Sequence, residues 1–431
     1  MKRTIPHKKG LLALSPLAVF LIVYLVSSVI AGDFYKIPVS SAFLAASIFA
    51  IATTRGSMTE RINVFSRGAG HPNVMLMLWI FILAGAFAGT AKDIGAVDAT
   101  VNLILSVIPV KMLYAGLFLA ACFISMSVGT SVGTVVALAP LAMGIAQQSG
   151  LSVAHMVGIV VGGAFFGDNL SFISDTTIAA TRALGVEMRD KFRVNILITL
   201  PAVLVVTCIY LFQGMSLDAS AIQHASGSLV KVIPYLLIIV LAIAGTDVTL
   251  ALSVGILVNA VIGFCCGDFT WTAWLESMGG GIAGMYDLIV VTLLAGGLLE
   301  VMRHNGGLDY IIEGLTSRIS GKRGAQGSIA ALVALSTVCT ANNTIAIITT
   351  GGIASDITKR FGLDPRKTAS ILDMFSCLVQ GLLPYGAQLL MVSGLTGLAA
   401  TAIIPHLYYS FCMGICAILA IIFRYPRKYS L

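Results

Sequence analysis

Two carboxylates seven residues apart, Asp168 and Asp175, lie in Gly167-Asp168-Asn169-Leu170-Ser171-Phe172-Ile173-Ser174-Asp175-Thr176-Thr177, directly after the apolar run 157–166. An acid at the centre of a membrane helix costs about 2.5–3.5 kcal/mol on insertion scales, so it is a functional candidate by default. Seven residues make about two helical turns, which puts both acids on one face of a helix. The alternative for Asp175 is the start of a loop, where an acid caps a helix. Two more polar interruptions break the apolar sequence. Ser127-Val128-Gly129-Thr130-Ser131-Val132-Gly133-Thr134 holds two glycines and four hydroxyls, a composition that favours an unwound turn. Thr340-Ala341-Asn342-Asn343-Thr344 is the other. Backbone freed at membrane depth is tolerated only where it lines a cavity, and there its carbonyls and hydroxyls can replace the hydration shell of a small hard cation. The alternative is a polar helix–helix contact. Asp373 stands about two turns before Gln380 and is a third acid able to face such a site.

The remaining chemistry-bearing residues read as structural. Glu300 beside Arg303 suits a surface ion pair, Asp247 a cap, and Asp287 the start of a span. None of the six histidines falls in a break, and no basic residue lies at the breaks to pair with a carboxylate. The eight cysteines are scattered without a CxxC pair and read as small buried hydrophobes. No nucleophile–base or metal constellation appears, so neither an enzyme nor a cofactor is expected.

The elements that must hold these breaks are membrane helices. Of 431 residues, 58% are hydrophobic and 10% charged, against about 25% charged in soluble proteins. The mean hydropathy is +0.96. Runs such as 195–212 are long enough to cross about 30 Å of hydrocarbon as helix, whereas a barrel would show short alternating segments. The net charge of +7 is no nucleic-acid signal, because the basic residues sit in short clusters between apolar runs. Lys2, Arg3, Lys8 and Lys9 precede the first run, read as an uncleaved span. Arg55, Arg61 and Arg67, then Arg182, Arg189, Lys191 and Arg193, then Arg303, Arg318, Lys322 and Arg323, then Lys359, Arg360, Arg366 and Lys367, and finally Arg424, Arg427 and Lys428 form the others. Loops 214–228 and 265–284 contain neither Lys nor Arg. Every cluster falls on one side when both termini are cytoplasmic, leaving only Lys36, Lys92, Lys111 and Lys231 on the other.

The chain reads as a duplication. Leu83-Ala84-Gly85 recurs as Leu294-Ala295-Gly296, Gly95–Asp98 meets Gly306–Asp309, and 39–54 meets 250–265, all at an offset of 211. The breaks near 130 and 341 correspond, as do Gly150-Leu151-Ser152 and Gly362-Leu363-Asp364 one residue off. The orientation makes the copies antiparallel: loop 92–110 is external while 303–325 is cytoplasmic. Inverted repeats with broken helices at the midplane are the architecture of secondary transporters. The expected fold is an all-α polytopic membrane protein of about 10–14 membrane segments, with repeats 1–213 and 214–431. Segments 111–128 and 132–147, like 327–340 and 344–357, are two spans or the arms of a re-entrant hairpin; polar tips meeting at the midplane favour hairpins. The break matching 167–177 is Gln380–Gln388, which holds Gly and Pro but no acid.

The acidic stretch resembles the signature of the NhaC-type sodium/proton antiporter family, roughly G-D-x-x-S-P-x-S-D-T-T, with Phe172 where proline is usual. Gly129–Ser131 is similar to that family's upstream break, and the resemblance extends loosely over residues 74–395. It implies a wider group of ion transporters with paired hairpins, an elevator-like motion and Ser/Asn/Thr tips that hold sodium and substrate; Thr340–Thr344 looks like such a tip. The family includes Na⁺/H⁺ exchangers and sodium-linked organic acid exchangers.

Two functions follow as expectations. In Na⁺/H⁺ antiport, Asp168 binds Na⁺ and H⁺ in turn, because a lone buried acid is costly to ionise and Na⁺ stabilises the charge. Thr130 and Ser131, with Asn169, Ser171 and freed carbonyls, complete the Na⁺ shell, and Asp175 and Thr176 stand beside it. In a coupled carrier of a small organic anion or amino acid, Asn342, Asn343, Thr344 and Gln380 bind the solute. The partners are then Na⁺, H⁺, an organic solute in the second case, and the lipid bilayer of the inner (plasma) membrane. The assembly is open between monomer and homodimer.

Overall fold

The structure is a computed structural model that describes residues 7–30, 38–172, 174–217, 228–244, 246–316 and 321–429. Lys2, Arg3, Lys36, Ile173, Gly245, Arg318 and most of loop 214–228, which lacks Lys and Arg, lie outside the described residues. The first half forms α1 (His7–Ile30), α2 (Val39–Thr53), α3 (Met58–Ala69), α4 (Pro72–Asp93), α5 (Ala96–Val107), α6 (Leu113–Val128), α7 (Ser131–Ser149), α8 (Val153–Leu170), α9 (Asp175–Leu184) and α10 (Met188–Gly214). The second forms α11 (Ile233–Ile243), α12 (Val248–Cys266), α13 (Trp271–Ala283), α14 (Tyr286–His304), α15 (Gly307–Thr316), α16 (Gly321–Thr340), α17 (Asn343–Phe361), α18 (Pro365–Leu382), α19 (Ala387–Thr396), α20 (Ala400–Ile403) and α21 (Tyr408–Ile422). No strand occurs among the described residues.

This is an all-helical polytopic membrane protein. Among the described residues seven helices are long and apolar enough to cross a membrane, and up to nine when two bent pairs count as one span each. Large apolar side chains on α10 and α12, such as Leu204, Val205, Leu257 and Val261, face outward, as a lipid-contacting surface requires. The stretch around Arg61 and the loops 92–110, 265–284 and 303–325 hold the short helices α3, α5, α13 and α15. Their starts are coded locally: Ser57 and Glu60 form a capping box, and Thr270 caps α13. Two basic residues counted as loop charges are buried instead. Lys367 donates to the Tyr425 carbonyl (2.6 Å), and Lys191 enters the site described below.

Elements recur in order. Helices α7, α8 and α9 begin at 131, 153 and 175, and α17, α18 and α19 at 343, 365 and 387, each 212 residues later. Packing recurs as well: α4 lies on α13 as α3 lies on α14, α12 on α4 as α2 on α14, and α19 on α7 as α9 on α17. The α4–α13 crossing is a close backbone approach. A Cβ on Gly281 would fall 2.0 Å from the Gly85 carbonyl oxygen, so only glycine fits, as at small-residue membrane interfaces.

Candidate functional site

The segments α8–α9 and α18–α19 are each broken once, at 171–174 and 383–386. The helix pairs α6–α7 and α16–α17 are each broken by two residues, Gly129-Thr130 and Ala341-Asn342. Gly129 (φ 74°) and Ala341 (φ 49°) hold the left-handed conformation at matching points. Glycine adopts it freely, whereas a residue with a Cβ is strained there by about 1–3 kcal/mol.

Asp168 sits in the last turn of α8, 2% exposed. Its Oδ1 accepts the backbone N–H of Ser131 (3.0 Å) and its Oδ2 accepts the Ser131 hydroxyl (2.5 Å). Ser131 is the first residue of α7, so its N–H has no partner within the helix and the positive end of the helix dipole faces the carboxylate. Gly167 makes this meeting possible: a Cβ there would lie 2.0 Å from Ser125 Oγ on α6. The break then folds back on itself. Thr176 donates to the Asp168 carbonyl (3.3 Å) and Thr177 to the Ser171 carbonyl (2.9 Å). Behind Ser131 a polar chain continues. Gln388 Nε2 donates to Ser131 Oγ (2.8 Å), and Gln380 Nε2 donates to Gln388 Oε1 (3.2 Å).

Asp373, fully buried on α18, gathers a second cluster. Its Oδ2 meets the Lys191 ammonium (2.9 Å), Asn195 Nδ2 (2.8 Å) and Asn169 Nδ2 (3.3 Å). Lys191 Nζ also donates to the Asn169 carbonyl (2.9 Å) and to Thr177 Oγ1 (2.6 Å), and Tyr409 donates to Asn169 Oδ1 (3.0 Å). Asp175 opens α9 and is exposed. It reaches the break between α16 and α17, where the Thr344 hydroxyl donates to its Oδ2 (2.6 Å).

Every sequence-predicted site residue thus lies at or beside a break, in three neighbouring groups. Asp168, Ser131 and Thr176 share one. Thr130, half-buried, precedes Ser131, but its hydroxyl is not among the hydrogen-bond partners of Asp168. Asn169 and Asp373 share the second, and Ser171 closes the turn beside it. Asp175 and Thr344 share the third, where Asn342 Oδ1 caps α17 through Ile345 N–H (2.9 Å) and Asn343 Oδ1 accepts from Thr344 N–H (2.9 Å). Gln380 lies with Ser131 rather than with Asn342–Thr344. Elsewhere Glu300 pairs with Arg303 (2.9 Å) and Asp247 caps α12, as expected.

The expectation that no basic residue lies at the breaks is overturned by Lys191, which is 1% exposed and ion-paired to Asp373. Lys191 stood among Arg189 and Arg193, which are exposed and do behave as surface charges. The missed signal was periodic. Lys191, Asn195 and Thr199 follow one another at i, i+4 and i+8 along α10, a polar stripe on one face of an otherwise apolar helix. Gln388 closes the break Gln380–Gln388 without having been counted among the site residues, and Tyr409 was missed because a lone tyrosine in an apolar run does not stand out.

Comparison with known proteins agrees in one direction. A model of the Na⁺/H⁺ antiporter family matches residues 9–215 and 219–425. The malate-2H⁺/Na⁺-lactate antiporter of Bacillus subtilis is 23% identical over 84% of this chain and 83% of its own length. The Na⁺/H⁺ antiporter NhaC of Alkalihalophilus pseudofirmus is 23% identical over 81% of each chain. The Na⁺/H⁺ antiporter NhaC of Bacillus subtilis is 24% identical over 83% of this chain and 86% of its own.

Proposed function

This chain belongs to the Na⁺/H⁺ antiporter family, and from that premise we propose that it exchanges Na⁺ for H⁺ at the carboxylate of Asp168. The observation that carries the proposal is the pairing of a buried acid with an unwound helix start. Ser131 offers Asp168 one N–H and one hydroxyl, and among the described residues no basic side chain pairs with it. The N–H and helix dipole favour the ionised acid without neutralising it. A Na⁺ ion beside Asp168 completes the neutralisation; the Ser131 hydroxyl keeps its O–H on Asp168 and one lone pair on Gln388, which leaves its second lone pair for the ion. A proton on Asp168 performs the same neutralisation, so each ion excludes the other. Lys191 already neutralises Asp373, which leaves Asp168 and Asp175 as the carboxylates free to carry cations.

The recurring order and exchanged packing of the two halves support inverted repeats 1–213 and 214–431, with the breaks at 129–131 and 341–344 as hairpin tips. The basic clusters support cytoplasmic termini in an inner (plasma) membrane. In a background without accessible native cysteines, Ser216→Cys then reacts with an impermeant thiol reagent outside intact cells, and Gly185→Cys does not. The reverse labelling overturns the orientation.

The centre is poorly suited to an organic anion. An ammonium has three donors, and all three of Lys191 are spent on Asp373, Asn169 and Thr177. Proteoliposomes separate the cases. A Na⁺ gradient alone is expected to drive proton movement that Asp168→Asn abolishes. Proton movement that requires added malate or lactate overturns simple Na⁺/H⁺ exchange.

A further inference from the structure

The ammonium of Lys191 is enclosed by oxygen: Asp373 Oδ2 and the Asn169 carbonyl at 2.9 Å and Thr177 Oγ1 at 2.6 Å. The Asn169 carbonyl belongs to the last turn of α8, where C-terminal carbonyls lack helical partners and the dipole favours a cation. A carboxylate, a helix-end carbonyl and a hydroxyl are the donor set of a small hard cation at a broken membrane helix. The cage also holds unused capacity. Asp373 Oδ1 and Asn195 Oδ1 are both buried without a hydrogen-bond partner, so the carboxylate can chelate through both oxygens, and the Asn195 amide, whose Nδ2 donates to Asp373 Oδ2 and the Asn169 carbonyl, brings its oxygen to the cage by turning over. No counterpart is built in the second copy. There Gly381 stands 212 residues after Asn169, and Ile403 stands 212 after Lys191.

We propose that Lys191 is a tethered cation filling an otherwise complete second site for a monovalent cation of the Na⁺ class, and that by filling it Lys191 confines exchangeable ions to Asp168 and Asp175. This deepens the ion-exchange reading, since it assigns the neighbouring cluster a role in how many ions the chain binds.

The test removes the ammonium and asks whether Na⁺ replaces it. Purified full-length wild type, Lys191→Ala and Lys191→Ala/Asp373→Asn are compared for thermal stability and bound ²²Na⁺ as NaCl replaces choline chloride at constant ionic strength. Lys191→Ala is expected to be destabilised in choline, to regain stability with Na⁺ more steeply than wild type, and to bind one additional Na⁺ per chain. The extra response should vanish in the double variant, which has no carboxylate there, and persist when Asp168→Asn is added to Lys191→Ala. That last arm separates this site from Asp168, so either proposal can fail without the other. A Lys191→Ala chain that binds no extra Na⁺, that Na⁺ cannot rescue at any concentration, or whose extra response survives Asp373→Asn overturns the tethered-cation proposal.

Discussion

The two broken segments share a shape and differ in charge. Each runs as helix, break and second helix, the break lying at 171–174 in the first and at 383–386 in the second. Gln380 stands 212 residues after Asp168, and Gln388 stands 213 after Asp175. Both acids of this pair therefore belong to the first copy, and amides take their places in the second. Yet the acids serve both copies: Asp168 meets the start of α7, and Asp175 meets the start of α17 through Thr344. The lesson is a division of labour. The duplication supplies two helix starts with free N–H groups, and only its first broken segment supplies carboxylates without a basic partner, because Asp373 on the second is already paired with Lys191.

The largest expected effect comes from removing that asymmetry. Asp168→Asn should lower Na⁺-driven proton flux by more than about 100-fold, the scale of losing charged contacts worth about 3 kcal/mol. Adding Gln380→Asp should not restore exchange, because Gln380 bonds the Gln388 side chain rather than the free N–H groups that open α7 or α17. Recovery of flux in that double variant would show the two breaks to be interchangeable. Next, Gln388→Ala removes the donor that holds Ser131 Oγ, and should weaken apparent Na⁺ affinity roughly tenfold, about 1.4 kcal/mol. A smaller, severalfold loss is expected for Asp175→Asn and for Thr344→Val. The double variant should lose little more than either single one, because the two side chains share one hydrogen bond. Additive losses would mean that they act separately. Smallest is the backbone contrast of the tips: Ala341→Gly should raise stability by about 1 kcal/mol by relieving a left-handed alanine, and Gly129→Ala should lower it by a similar amount. Thermal melts in one detergent decide this, and equal signs would contradict the matched geometry.

Much of this was legible in the chain. Composition and run length gave a helical membrane protein, and Asp168, Ser131, Asp175 and Thr344 were marked because polar groups at membrane depth demand a reason. The contacts across breaks were not legible. Asp168 with Ser131, Asp373 with Asn169, and Asp175 with Thr344 are separated by 37, 204 and 169 residues, and no local periodicity links residues so far apart. Lys191 was misread because a basic residue among other basic residues has the appearance of an orientation signal; only its register with Asn195 and Thr199 set it apart. The short helices α3, α5, α13 and α15 escaped notice because each is shorter than a span and sits in a connection between longer runs.

Competition between Na⁺ and H⁺ at Asp168 can be measured without a membrane. NaCl is added to purified protein in weakly buffered detergent solution, and proton release is followed with a pH-sensitive dye against choline chloride as control. Wild type should release protons on Na⁺ binding. Asp168→Asn should release far fewer, leaving at most the share of Asp175, while Glu300→Gln, which alters only a surface ion pair, should match wild type. An Asp168→Asn protein that releases as many protons as wild type would contradict exchange at this carboxylate.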